Sequence, residues 1–273
     1  MRDHDGFSFH KLDLADESRM QSLFEAHEFR QVVHLAAQAG VRYSIEAPEQ
    51  YISSNIAGLT VLLECCVRHG VQHLLYASSS SVYGDTEKTP FSEEDAADRP
   101  RSVYAATKRA GELLAYSYAR IHGLASTGIR YFTVYGPWGR PDMAAMKFAE
   151  RLAAGKRVRV FGDGRQRRAF TFVDDAVRGT LAILEGGPPA GKPPVGLYNL
   201  GSTEDVELMD FIAILGRTMG IGAEIDFAPE PPGEMRATLP DMSAMRRDFG
   251  FEPRVGLEDG LAEFVRWFRE YSE

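Results

Sequence analysis

Tyr104 and Lys108 stand four apart in Tyr104-Ala105-Ala106-Thr107-Lys108. That spacing puts two side chains on one helix face, one turn from each other. A phenol with a pKa of about 10 is a weak base, but a neighbouring ammonium favours its anion. Just upstream runs Leu75-Tyr76-Ala77-Ser78-Ser79-Ser80-Ser81, followed by Val82-Tyr83-Gly84. A hydroxyl such as Ser79, carried at a strand end, could hold a substrate OH against the phenolic oxygen. Tyr-x-x-x-Lys alone also describes a half-buried tyrosine beside a surface lysine. The apolar strand, the serine cluster at its end and the Tyr–Lys helix next in the chain together point to chemistry. Sites of open parallel α/β sheets lie beyond the carboxyl ends of their strands.

The flanking elements are those such a sheet needs. Residues 7–12 alternate and read as a strand, and Asp16 reads as the N-cap of a helix whose face carries Met20, Leu23 and Phe24. Residues 32–37, Val-Val-His-Leu-Ala-Ala, read as a short buried strand, and Gln38-Ala39-Gly40 as a small-residue turn. His34 within that strand reads as a core histidine. Residues 49–69 carry an apolar stripe of Ile56, Leu59, Leu62, Leu63 and Val67, with Gly70 as the stop. An acidic loop, 85–101, has the length of an active-site edge. A helix over 104–122 and a strand over 126–133 follow. Gly136-Pro137-Trp138-Gly139-Arg140-Pro141 is a turn-rich crossing. Beyond it come a helix over 142–154, a strand over 157–161 and the basic glycine loop 162–168. A helix opens at 171–175 and a strand covers 195–200. The chain closes with helices near 207–219 and 256–271 and a strand over 224–227. The pattern implies a doubly wound α/β fold with a smaller α/β lobe.

A chain of 273 residues holds one large domain or two modest ones. Its net charge of −8 disfavours nucleic acid, although local arginines still permit an anionic substrate. The two cysteines, Cys65 and Cys66, are adjacent. They suit neither a disulfide framework nor a metal site, and they read as core residues in a reducing, cytoplasmic compartment. No apolar run approaches a membrane span, and the polar start is unlike a signal peptide.

Three stretches carry a resemblance. Ala36-Ala37-Gln38-Ala39-Gly40-Val41-Arg42-Tyr43-Ser44, Ala77 to Gly84, and Thr133-Val134-Tyr135-Gly136-Pro137-Trp138-Gly139-Arg140-Pro141-Asp142-Met143-Ala144 resemble the NAD-dependent epimerase/dehydratase branch of the extended short-chain dehydrogenase/reductase family. Within it they are most similar to UDP-glucuronate 4-epimerases, and the likeness runs along nearly all of the chain. The resemblance implies a Rossmann-like NAD-binding domain (1–134 and 170–200) and a nucleotide-sugar lobe (135–169 and 201–273). It implies NAD contacts from Asp13, Leu14, Leu35, Ala36, Ala37, Gln38, Asn55, Ser78, Tyr104, Lys108 and Tyr131. Catalysis would fall to Ser79, Tyr104 and Lys108. The UDP-sugar would meet Ser79, Ser80, Ser81, Thr133, Arg140, Phe161, Arg168 and Glu234. No metal is implied, and a homodimer through the Asn55 and Tyr104 helices is.

By the same resemblance the reaction is C4 epimerisation of a UDP-sugar, UDP-glucuronate to UDP-galacturonate, through a 4-keto intermediate. The related dehydratases carry Asp-Glu where Ser80 and Ser81 stand, and the decarboxylases a Glu at Ser81. UDP-glucose 4-epimerase is the rival reading, and a catalytically silent fragment acting only as an assembly partner is another. Ala169, Pro231 and Glu234 depart from the family pattern. The sequence also lacks a G-x-G-x-x-G or G-x-x-G-x-x-G turn at its start. Its first strand reads like the third strand of the fold, so an N-terminally truncated domain is the expectation.

Overall fold

Asp16 and Ser102 cap the starts of two helices. The computed structural model describes residues 6–86, 88–229 and 235–272. The chain divides into two units, one of Met1–Tyr76, Ser102–Thr127 and Pro188–Gly196, the other of Ala77–Arg101, Gly128–Gly187 and Leu197–Glu273.

Four strands form one sheet, in the order Gln31–His34, His73–Ser79, Ser126–Tyr131, Val195–Leu200. The first two pair in parallel, with Gln31 opposite His73 and His34 opposite Tyr76. The Asp16 carboxylate accepts the Arg19 N–H at 3.1 Å and so caps the helix Glu17–Ala26. That helix buries Met20 and Phe24 against Leu59, Leu62, Leu63, Cys65 and Cys66 of the helix Gly58–Arg68. Each such buried aliphatic contributes about 1.5–3 kcal/mol. The helix Val103–His122 starts where Ser102 accepts the Ala105 N–H at 3.1 Å and stops at Gly123, whose φ is 71°. Its buried residues include the small Ala105, Gly111, Ala115 and Ala119 beside Thr107, Lys108 and Glu112. A Cβ on Gly111 would sit 3.0 Å from Leu59 Cδ2, so the two helices approach closely there.

The second unit has an aromatic core of Tyr135, Phe148, Phe170, Phe172, Phe211, Phe264 and Phe268. Phe170 stacks on Phe211 at 4.1 Å. Short parallel pairs frame this core: Thr133–Tyr135 with Phe170–Phe172, and Val158–Phe161 with Ile225–Ala228. Asp175, buried at the start of the helix Val173–Gly186, accepts the N–H groups of Arg254 and Val255, each at 2.9 Å. A buried carboxylate with such partners is satisfied rather than costly.

Four expectations change. Residues 32–37, read as a buried strand, give the strand Gln31–His34, with Val33 and Leu35 exposed. Residues 7–12 form no strand: Phe7 and Phe9 are exposed. Alternation makes a strand only where a neighbouring backbone completes the hydrogen bonds. The helix expected over 49–69 is broken into Pro48–Tyr51, a π-helical turn Ile52–Ala57 and Gly58–Arg68. The helix Ser243–Phe249 was not expected. No helix among the described residues is long and apolar enough to cross a membrane. Nor do the described residues group three or more His, Cys, Asp or Glu as a metal site.

Candidate functional site

In the first unit, Asn55 draws the strand-end turn and the Tyr–Lys helix together. A π-helical turn inserts one extra residue and re-aims a side chain. Here it turns Asn55 inward, leaving it 5 % exposed. Its amide oxygen accepts the Gln38 N–H at 2.8 Å, and its nitrogen donates to the Gln38 carbonyl at 3.0 Å and to Thr107 Oγ1 at 2.9 Å. Thr107 in turn donates to the Tyr104 carbonyl at 2.9 Å. The backbone at Gln38 is thus fixed against the first turn of the helix that carries Tyr104 and Lys108. Tyr51 adds a second tie: its hydroxyl meets the carbonyls of Ala39 and Gly40 at 3.0 and 2.7 Å, and its ring lies edge-on to Tyr104 at 6.2 Å.

Lys108 is 8 % exposed, and burial brings its pKa down from 10.5 to about 8. At neutral pH the ammonium persists, but in surroundings that solvate it poorly. His34 is buried too, and burial together with the Lys108 charge pushes its pKa down to about 4. It is therefore a neutral core histidine at pH 7. Cys66 is a buried thiol with its pKa pushed up to about 12, mainly by burial. Beyond the strand, Leu35 is 59 % exposed, with the small residues Ala36 and Ala37 after it. Asp13 forms a turn, accepting the Ala15 N–H at 2.9 Å, and Leu14 packs on Gly58.

In the second unit, Ser79 ends the strand His73–Ser79 and caps the 3₁₀ turn Ser80–Tyr83, its Oγ accepting the Ser81 N–H at 3.2 Å. Ser78 and Ser79 are buried, and Ser80 and Ser81 half-buried. Gly84 ends the turn with φ 55°, and a Cβ there would stand 1.9 Å from the Arg99 carbonyl oxygen. The Tyr131 hydroxyl meets Thr180 Oγ1 at 2.7 Å, and burial raises its pKa. Thr133 opens its short strand. Arg140 forms a two-pronged pair with Asp142, at 2.8 and 2.7 Å. Phe161 ends its strand, with the Arg159 guanidinium 5.4 Å from its ring centre. Arg168 is half-buried, donates to the Arg167 carbonyl at 2.8 Å and stands beside Thr238 in a parallel pair. Arg167 is engaged by Asp205 at 2.7 Å and Glu207 at 3.7 Å, so it serves the lobe's own structure. Glu234 lies outside the described residues.

A family model described as the NAD dependent epimerase/dehydratase family matches residues 1–201. The chain belongs to this family. Among its relatives, UDP-glucuronate 4-epimerase 1 of Arabidopsis thaliana is 45 % identical over 273 residues, 95 % of this chain and 63 % of that protein. The chain thus spans under two thirds of that plant relative. Of solved structures, UDP-glucuronic acid 4-epimerase from Bacillus cereus, in complex with UDP-glucuronic acid and NAD, matches with a TM-score of 0.91 at 33 % identity, covering 99 % of this chain and 84 % of that one. UDP-glucose 4-epimerase from Thermotoga maritima, with UDP-glucose, gives 0.92 at 32 %, covering 99 % and 87 %. The fold of this family member is therefore the Rossmann-like α/β fold of those enzymes.

Sequence reading missed Thr107, Tyr51 and the network around Asn199. Thr107 lies inside the Tyr–Lys word, three positions after Tyr104, and its side chain meets Asn55. Asn199 is fully buried. It accepts from Tyr83 Oη at 2.6 Å, donates to the Phe91 carbonyl at 2.9 Å, and its own N–H meets Glu93 at 2.7 Å. These bonds pin the loop after the serine turn. Their partners stand about a hundred residues away in the chain, so no local pattern announces them.

Proposed function

We propose that this epimerase/dehydratase is an NAD-dependent 4-epimerase of UDP-sugars and that its substrate is UDP-glucuronate, converted to UDP-galacturonate. The observation that carries the reading is the buried Lys108 one helical turn from Tyr104. A desolvated ammonium is a strong local field, and it favours the phenolate that must accept a sugar hydroxyl proton.

The residues present fit the ribose end of a dinucleotide. Tyr104 and Lys108 offer hydrogen-bond donors of the kind a ribose diol accepts. The segment Leu35-Ala36-Ala37-Gln38 offers small side chains and an anchored peptide over which a flat ring can lie. In this reading Asp13, Leu14, Asn55, Ser78 and Tyr131 complete the cofactor surroundings. NAD, when bound, supplies reversible hydride acceptance at C4. Tyr104 takes the proton of the 4-hydroxyl and later returns it. Lys108 holds the phenolate charge. Ser79 keeps the 4-oxygen in hydrogen-bond reach, as the Oγ that caps its own turn is fixed in direction. Ser80, Ser81, Thr133 and Arg140 surround the sugar's carboxylate, for which a guanidinium fork is suited. Phe161, Arg168 and Glu234 take the nucleotide. Residues 1–134 and 170–200 form the NAD-binding domain, and 135–169 with 201–273 the nucleotide-sugar lobe.

The UDP-glucuronate assignment is supported by the plant and Bacillus relatives, and the Thermotoga relative keeps UDP-glucose as the second reading. Incubation with each UDP-sugar, followed by proton NMR of the anomeric signals, separates them. Turnover of UDP-glucose without UDP-glucuronate would remove the acid-sugar reading. Tyr104→Phe should cut turnover by about 10²–10⁴ and leave UDP-sugar binding intact; undiminished activity would refute the phenolate. A cytoplasmic homodimer completes the reading. Leu113, Tyr116 and Ile52 are exposed on the two helices concerned, and light scattering tests the dimer by mass.

A further inference from the structure

The second unit holds a backbone strain that its core does not require. Trp138 has φ 60°, the only positive φ among described residues other than glycine. For a bulky side chain this is an outlier, and such strain persists only where surrounding contacts hold it. Trp138 is also 77 % exposed, so core burial does not explain it. What holds it is aromatic. Its ring lies 5.5 Å from Trp267 and 5.7 Å, edge-on, from Tyr271, and those two stack at 4.9 Å on the helix Leu257–Ser272.

The clamp sits on one turn. Gly136 opens it, where a Cβ would come 2.6 Å from Val173, and its carbonyl accepts the Gly139 N–H at 3.2 Å. Arg140 is next, its fork closed on Asp142 and its carbonyl accepting the Met143 N–H at 3.1 Å. The indole and the guanidinium thus ride on the same short piece of backbone, two residues apart.

We infer that Trp138 is a positioning residue for Arg140. The clamp of Trp138, Trp267 and Tyr271 holds the 136–143 turn so that the guanidinium meets an acidic hexose and gives it preference over a neutral one. A glycine would take the same φ at no steric cost, so the tryptophan is there for its ring. The anionic substituent competes with Asp142 for the fork, and a clamped turn holds Arg140 at a fixed place for that exchange. The inference rests on the reading of Arg140 as the partner of the sugar carboxylate.

The test is calorimetric titration of the whole chain with UDP-glucuronate and with UDP-glucose. Arg140→Ala should weaken UDP-glucuronate by about tenfold and leave UDP-glucose unchanged. Trp138→Gly should reproduce most of that selective loss, Trp138→Tyr should restore it, and adding Arg140→Ala to Trp138→Gly should cost little more. The chain has 2 tryptophans, both in the clamp. Near-ultraviolet circular dichroism therefore reports whether the clamp has opened, with far-ultraviolet dichroism confirming the fold. If Arg140→Ala is selective while Trp138→Gly leaves both affinities unchanged, or lowers them equally, the positioning role falls and the Arg140 reading stands. If Arg140→Ala shows no selectivity, both fall.

Discussion

Lys108→Met separates the stability of the site from its chemistry. The side chains are similar in length and volume, so packing is largely kept. The charge is removed. In the parent, the gap between about 8 in the fold and the ordinary 10.5 is worth about 3 kcal/mol at 1.36 kcal/mol per pH unit. The sign follows from proton counts. Between those two pH values the unfolded chain holds the proton and the folded one does not, so parental stability rises with pH across that window. Below about 8 the full penalty of the buried ammonium remains. Lys108→Met should therefore be more stable than the parent at pH 7 by about 3 kcal/mol, about 6–10 °C in melting temperature. The advantage should shrink from about pH 8 to 10.5 and vanish above it. Turnover should be lost at every pH, whereas the parent's turnover should fall as pH rises through the Lys108 pKa. Urea denaturation of both proteins at pH 7 and at pH 10.5, with the difference taken at each, provides the measurement. A variant less stable than the parent by the same amount at both values would refute the reasoning. It would show that hydrogen-bonded partners hold the ammonium more strongly than burial opposes it.

Asn55→Ala removes three hydrogen bonds and strands the Gln38 peptide groups; a loss of about 2–4 kcal/mol in urea unfolding is expected. Gly84→Ala should cost more than about 3 kcal/mol or prevent folding, because its Cβ would overlap the Arg99 carbonyl in a backbone already at positive φ. A melting temperature within a degree of the parent would contradict that geometry. With the Cys66 thiol held near 12 by burial, a chromogenic disulfide reagent should label Cys66 only as fast as the chain unfolds.

The local elements were legible: Ser79 at a strand end, the Asp16 cap and the helical spacing of Tyr104 and Lys108 each depend on residues close in the chain. The buried state of Lys108 was not legible: the reading of Tyr-x-x-x-Lys left a surface lysine open, and Lys108 is 8 % exposed. The π-helical turn escaped detection because Leu59, Leu62 and Leu63 keep a helical rhythm on their own. Residues 7–12 misled because alternation records which side chains differ, while a strand depends on a neighbour. The helix Ser243–Phe249 escaped because it buries only Met245 and so shows no stripe. Arg167, grouped by sequence with Arg168 as a basic run, answers to Asp205, a partner thirty-eight positions on.

The wide turn at Ile52–Ala57 also divides the labour of one rod. Upstream, the phase of the side chains is dictated by Tyr51 and its grip on the Ala39 and Gly40 carbonyls. Downstream it is dictated by Leu62, Leu63 and Cys66 in the interior. An extra residue rotates the later side chains by about 100° relative to an unbroken helix. The interior can thus drift in composition and settle into new packing while the amide of Asn55 keeps its aim.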